Sequence, residues 1–334
     1  MRVSLLGIGN VGKGLLKIMS DQRTAQKFRE ISGNDLEIVS VSDSTGTYLS
    51  EGLSPEDILD LKLKNNLADS LEKMGRDGIF SMEPDVIVDL SPASKDGKRE
   101  LEIYRKAFSR NISVVTANKS PLALHWKELK EARTGSESML LHEATVAGGL
   151  PLFSLVEGSI LPSEVLEFRG IVSLTVNLVL AKMRSGLDFE SAVKICQDEG
   201  VAEADYRDDT DGVDAARKTV ILANSIFGTS LTLKDIKSGG VKEAQSIEGW
   251  RDGRVRIVSS IRRESGNILV SSGPVKLEPG DPLLNLGEMS MGYTVKTNFS
   301  GTISVQSAKD GPIETASGVC NDLFLLGKEM VHKK

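Results

Sequence analysis

The feature that most constrains this chain is the hexapeptide Gly7-Ile8-Gly9-Asn10-Val11-Gly12, which follows an apolar run over residues 3–6 and precedes Leu15, Leu16 and Met19 at helical spacing. Strand, turn and helix in that order, with glycines at the first, third and sixth turn positions, open a Rossmann unit. The first glycine permits the tight turn, the second lets the backbone approach a pyrophosphate, and the third lets the helix pack closely on the strand. Amides at the helix start then hold the phosphates. The motif assigns Gly7, Gly9, Asn10, Val11 and Gly12 to dinucleotide binding, with a merely structural glycine turn as the alternative.

A second strand is expected over residues 36–41, ending at Asp43, a third over 85–90 ending at Ser91-Pro92, and a fourth over 112–115 ending at Thr116-Ala117-Asn118-Lys119. Helical patterns between them predict a parallel sheet. Such sheets place ligands beyond the carboxyl ends of their strands, so Ser91, Thr116 and Lys119 join the cofactor candidates. Asp43 stands where an acid takes the adenosine ribose hydroxyls; its separation from Gly12, 43 − 12 = 31, exceeds the usual ~20, which an insertion after the first helix explains. No Arg or Lys occurs in Ser44-Thr45-Gly46-Thr47, so a 2′-phosphate would meet an uncompensated carboxylate. That favours NAD over NADP, the alternative being an acid that only caps a turn.

A chain of 334 residues, 40% hydrophobic and 26% charged, is long enough for two soluble cores. The texture changes near residue 140, where 143–151 is a small-residue loop. We expect an α/β protein: a dinucleotide-binding domain over 1–138, a mixed α+β substrate and dimerisation domain over 139–311, and a C-terminal helix within 312–334 packing back on the first. In the second domain, Asp188 caps a helix running through Gln197 that Gly200 ends, another helix covers 214–227, and 168–172, 255–261, 268–271 and 294–305 read as strands. A net charge of −6 without basic clusters argues against nucleic acid, and no run approaches the ~20 apolar residues of a membrane span. The N-terminus lacks a basic, cleavable leader, so the cytoplasm is expected. Cys196 and Cys320 have no CxxC spacing, and His125, His142 and His332 no metal-ligand spacing, so the expected partner is a small molecule.

Five carboxylates, Glu203, Asp205, Asp208, Asp209 and Asp211, surround Arg207 between the two helices. Such a field suits a substrate ammonium, a solvated acidic turn being the alternative. A calcium loop starting at Asp209 would put Val220 where the bidentate glutamate belongs. Asp214 and Lys218 are i and i+4 on one helix face and can pair. Val213, Ala216, Val220 and Ile221 recur at core spacing on that helix, so Lys218 falls at the edge of a cleft or in an ordinary surface pair.

Residues 114–119 (Val-Val-Thr-Ala-Asn-Lys), 142–151 (His-Glu-Ala-Thr-Val-Ala-Gly-Gly-Leu-Pro) and 203–218, from Glu203-Ala204-Asp205 to Asp214-Ala215-Ala216-Arg217-Lys218, together with the glycine fingerprint, resemble the homoserine dehydrogenase family. A further match over 311–317 extends the resemblance to the C-terminus. The resemblance implies reversible, NAD(P)-dependent hydride transfer between L-aspartate 4-semialdehyde and L-homoserine, in threonine and methionine biosynthesis, by a homodimer. It implies Lys218, Lys119 and Asp214 at the reacting centre, with a lysine ammonium, Lys218, supplying the proton. By the same resemblance Glu203, Asp209, Asp214 and Thr175 contact substrate, Gly311 and Thr315 contact cofactor, and the carbonyls of Glu143, Val146, Gly148 and Leu150 bind a monovalent cation, Na+ or K+. The chain departs from the family pattern at Leu174, usually glycine, and Val201, frequently tyrosine. It shows no regulatory extension or kinase-like region, so feedback through such modules is not expected. Two rivals remain: another Rossmann amino-acid dehydrogenase, such as one acting on L-aspartate, and a non-catalytic NAD-binding sensor.

Overall fold

Two stretches of the chain bury separate cores, and the computed structural model divides accordingly into one unit of Met1–Gly149 with Pro312–Lys334 and another of Leu150–Gly311. It describes all residues except Arg76, Gly200, 203–205, 333 and 334, and the side chain of His332.

In the first unit, β1 (Arg2–Leu6), β2 (Glu37–Asp43), β5 (Val86–Asp89), β6 (Ser113–Thr116) and the short β7 (Leu140–Leu141) pair in parallel in the order β2-β1-β5-β6-β7. Their residues are buried nearly throughout, as strands covered on both faces must be. The expected wholly parallel sheet is corrected at one edge, where β3 (Gly46–Leu49) returns antiparallel on β2 and β4 (Lys73–Met74) pairs antiparallel with β3. The cause is local: the Asp43 carboxylate accepts from the Thr45 amide at 2.8 Å, turning the chain back two residues after β2. The long interval after Gly12 is filled by a second helix, Gln22–Ser32, capped by Asp21. Consecutive strands leave β1 in opposite directions, to β2 on one side and β5 on the other, and this reversal creates a ligand crevice at their carboxyl ends. The C-terminal helix, Pro312–His332, packs on the first helix, Asn10–Met19, and places Ala316, Val319, Leu323 and Leu326 in the core shared with Leu15 and Leu16.

The second unit is built on a sheet ordered β13-β12-β8-β10-β11-β9 from β8 (Val165–Ile171), β9 (Lys237–Ser238), β10 (Val255–Glu264), β11 (Asn267–Lys276), β12 (Gly292–Thr297) and β13 (Thr302–Gln306). The stretch expected as one strand over 294–305 is two strands, because Gly301, in the left-handed region at φ 70°, turns the chain. Residues one apart point to opposite faces. One face carries Phe168, Ile261 and Val295 and is covered by helices, the Thr219 hydroxyl of helix Val213–Ile226 donating to Ser259 Oγ at 2.6 Å. On the other face Arg262, Glu167 and Lys296 stand side by side with Leu269, which is 47% exposed. Asp188 caps helix Phe189–Asp198 through the Ser191 amide at 2.8 Å; Gly200 lies outside the described residues.

Candidate active site

The glycine turn leaves β1 with Gly7 at φ +91°, a conformation side chains rarely adopt, and a Cβ there would lie 2.6 Å from the Leu90 carbonyl at the end of β5. A Cβ on Gly12 would lie 2.4 Å from Gly7 O, so the helix closes tightly on the turn. Gly9 differs: among the described residues no atom beyond its chain neighbours lies within 4 Å of its Cβ position, and no side chain caps the helix that starts after it. An open backbone with uncapped helix amides behind it fits a pyrophosphate. Asn10 and Val11 form the first turn of that helix.

A buried hydrogen-bond network sets the neighbouring strand ends. The Tyr104 hydroxyl, on helix Lys98–Phe108, lies 2.7 Å from Asp89 Oδ2 and 2.8 Å from Thr116 Oγ1, joining the last residues of β5 and β6. Asp89 Oδ1 accepts from the Ser91 amide at 2.9 Å and from its hydroxyl at 2.6 Å. The Asn118 amide donates to Thr116 Oγ1 at 2.8 Å, its side-chain NH2 donates to Ser91 Oγ at 3.2 Å, and its Oδ1 accepts from the Ser120 amide at 3.1 Å. Lys119 thus begins helix Lys119–Leu124 in a fixed place beyond β6. Burial pushes the Asp89 carboxyl up from the usual range against the Ser91 and Tyr104 donors, and burial followed by the Asp89 charge pushes the Tyr104 phenol well up. The hydroxyls of Ser91 and Thr116 are spent inside the protein, on Asp89. Asp89, Tyr104 and Asn118 are the residues sequence reasoning missed; for Asp89 a polar residue ending an apolar strand was the available signal.

Contrary to expectation, Asp43 does not stand without a compensating cation. Lys62, on helix Pro55–Leu63, donates to Asp43 Oδ2 at 2.6 Å, and Lys73 donates to the Thr45 carbonyl at 2.8 Å. Burial works against ionisation, but the Lys62 and Thr45 donors hold the Asp43 carboxyl below its ordinary range. Both lysines lie far along the chain, which is why the four residues after Asp43 gave no sign of them.

The remaining first-unit candidates lie around the start of the C-terminal helix. A Cβ on Gly14 would meet Ala316 Cβ at 3.1 Å and one on Gly149 would meet Glu314 O at 2.5 Å, so the turn carrying Thr315 packs on both. Gly311 immediately precedes that helix. Residues Glu143–Thr145 form a buried short helix whose Glu143 amide donates to Asp322 at 2.9 Å, followed by buried Val146 and by Gly148 at φ 58°. Leu150, also buried, begins the second unit.

In the second unit Gly212, at φ +80° with its Cβ position 2.5 Å from Gly239 O, sets the N-terminus of helix Val213–Ile226 and puts Asp214 in its first turn. Lys218 Nζ lies 3.1 Å from Asp214 Oδ2 and donates to the Val172 carbonyl at 2.6 Å. The two side chains are only 13% and 10% exposed, which removes them from the class of solvated surface pairs. Asp209 sits on the preceding turn, Arg207–Thr210, at intermediate exposure, while Asp208 is drawn aside by Arg217 at 2.6 Å. Thr175 is buried on helix Leu174–Arg184, and its hydroxyl donates to the Val201 carbonyl at 3.1 Å. Glu203 and Asp205 lie outside the described residues.

Comparison with known proteins agrees across both units. A family model described as the homoserine dehydrogenase NAD-binding domain matches residues 7–143, and the homoserine dehydrogenase model matches residues 151–324. The homoserine dehydrogenase of Methanocaldococcus jannaschii is 32% identical, the match covering 97% of this chain and 98% of that one. The crystal structure of the Thermoplasma acidophilum homoserine dehydrogenase superposes with a TM-score of 0.88 at 38% identity, covering 98% of this chain and 99% of that one. A hyperthermophilic archaeal homoserine dehydrogenase solved in complex with NADPH gives a TM-score of 0.83 at 26% identity, covering 100% of this chain and 98% of that one.

Proposed function

Because the chain belongs to the homoserine dehydrogenase family, we propose that it interconverts L-aspartate 4-semialdehyde and L-homoserine by nicotinamide-dependent hydride transfer, with Lys218 as proton donor. The observation that carries this reading is the largely buried Asp214–Lys218 pair. A bound dihydronicotinamide supplies the hydride to the aldehyde carbon. Lys218 supplies a proton from Nζ to the oxygen that becomes an alkoxide, and takes it back in the reverse direction. Asp214 and the Val172 carbonyl orient that ammonium, so little reorganisation accompanies the step. Lys119, fixed by the Asn118 cap, adds a second positive charge at the reacting centre. Glu203, Asp209 and Asp214 would take the substrate ammonium, and Thr175 would add a hydroxyl contact. The first unit holds the dinucleotide over Gly7, Gly9, Asn10, Val11 and Gly12, with Ser91, Thr116, Gly311 and Thr315 shaping its edge.

NAD is the preferred cofactor because Asp43 suits a ribose diol, but Lys62 limits the discrimination by offering a cation to a 2′-phosphate. The residues that would hold a monovalent cation, Na+ or K+, by their carbonyls are Glu143, Val146, Gly148 and Leu150. The enzyme works as a homodimer, which the sheet face bearing Glu167, Arg262, Leu269 and Lys296 supports: it carries alternating charges that a second copy can complement. It serves threonine and methionine biosynthesis in the cytoplasm; no described helix is long and apolar enough to cross a membrane.

The test is absorbance at the NADH band with L-homoserine, running NAD and NADP in parallel and repeating with L-aspartate. Homoserine-dependent reduction, faster with NAD, is expected. Reduction with L-aspartate alone would move the assignment to the rival dehydrogenase, and silence with every pair from folded protein would leave only the sensor.

A further inference from the structure

The second unit has a small cavity where β10 runs past the end of β8. It is lined by Asn177, Arg184, Arg256, Leu286, Glu288 and Ser290, among others, and offers about 20 Å³ to the centre of a water-sized sphere. One occupant needs roughly 10–15 Å³. The neutral polar groups around it are already satisfied: Asn177 bonds Ser173 O and both backbone groups of Ile257, and Ser290 Oγ donates to Ala308 O at 3.2 Å.

The two arginines are not satisfied in the same way. Arg184 Nη1 is buried with no acceptor among the described residues. The carbonyls of its own helix end are engaged, Ala181 and Lys182 by the Ser185 amide and Met183 by Gly186. Arg256 turns Nη1 to the Gly253 and Val255 carbonyls. Each guanidinium carries five donors, so both have more to give. Both guanidiniums line the one cavity; burial depresses both groups, and the Arg184 charge further depresses Arg256. Their nearby carboxylates are Glu288, which is exposed, and Asp252, which Arg254 already holds at 2.8 Å and Lys276 at 3.5 Å. Two partly buried cations against one solvated carboxylate leave a positive charge that a water cannot balance.

We propose that Arg184 and Arg256 bind one chloride-sized monovalent anion in this cavity. It joins the end of helix Leu174–Arg184 to the start of β10 and to the 286–290 turn, and it belongs to the fold whatever substrate the enzyme takes. Thermal unfolding of the intact protein in sodium chloride or bromide is compared with sodium gluconate at equal ionic strength, gluconate being too large to enter. Sodium is common to all arms, so the carbonyl-bound cation does not contribute to the difference. Halide is expected to raise Tm by about 3 °C over gluconate, Arg184→Gln to abolish the increment, and a bromide-soaked crystal to show an anomalous peak between the guanidiniums. Equal Tm in halide and gluconate, an undiminished increment in Arg184→Gln, or no bromide peak would each overturn the proposal, the last meaning water only. Should Arg184→Gln fail to fold, the wild-type comparison and the bromide peak still decide.

Discussion

The cofactor edge of the first unit and the acid–lysine turn of the second are built from opposite materials. The first is mostly backbone: an open glycine, uncapped helix amides, and strand ends tied together from inside by Asp89, Tyr104 and Asn118. The second is mostly side chain, a carboxylate and an ammonium held on one helix face behind a left-handed glycine. Backbone sites depend on burial beneath them and should fail together with stability. Side-chain sites of this kind should lose chemistry while the fold survives.

The largest expected effect tests that difference directly. Lys218→Met should lower kcat by about 10²–10⁴-fold, the usual worth of a positioned proton donor, with cofactor KM little changed and only a smaller fall in Tm, from leaving the largely buried Asp214 without its cation. Rates from steady-state kinetics and unfolding of the same sample check it. A variant that loses stability in proportion to activity would make Lys218 a structural residue like those of the first unit.

Next in size is a pH effect confined to the first unit. His142, immediately before the Glu143 loop and edge-on to Trp126, is held by burial at a pKa of about 4, down from 6.5. Between those values the unfolded chain binds the proton that the folded one refuses, so stability rises with pH across this window and is complete above 6.5. At about 1.4 kcal/mol per unit, acidification to pH 4 should cost about 3 kcal/mol. Denaturant unfolding from pH 7 to pH 4 reads it, and His142→Phe should flatten the slope. An unchanged slope in that variant would assign the acid sensitivity elsewhere.

How much of this was legible in the sequence follows the same divide. The glycine turn, the positions of the first strands along the chain and the Asp188 cap were readable because each is a local rule, a spacing of residues within one turn or one strand. The i,i+4 relation of Asp214 and Lys218 was equally local, but their burial was not, since it depends on Val172 at a separation of 46 residues. Asp89, Tyr104 and Asn118 escaped notice because a polar residue becomes a fastener only when folding brings its partners together. The β3 and β4 edge was missed for a related reason: two short, half-buried strands show too little periodicity to announce themselves.

Tyr104→Phe should produce a smaller loss that sharpens the comparison. It removes the hydroxyl joining Asp89 to Thr116 and leaves a buried carboxyl one donor short, which costs about 1–3 kcal/mol. Cofactor KM should rise with the fall in Tm while the rate at saturating cofactor changes little, because Lys218 is untouched. A fall in kcat at constant KM would show that the network acts on the chemistry instead of on the strand ends.

The smallest expected effect concerns the one place in the first unit where side chains, not backbone, are proposed to discriminate. Lys62 is bound to Asp43, so in the NAD complex it only has to tolerate the ribose diol, whereas in the NADP complex it is the cation that can face the added phosphate. Lys62→Ala should raise the KM for NADP about tenfold, the equivalent of one charge-assisted contact of about 1.4 kcal/mol, and move that for NAD much less. Asp43→Asn should shift the ratio the other way by removing the repelling carboxylate. Parallel initial-rate measurements with both cofactors decide. If Lys62→Ala weakens both cofactors equally, Lys62 only holds Asp43 in place, and the preference for NAD must then be set by the backbone of the crevice itself.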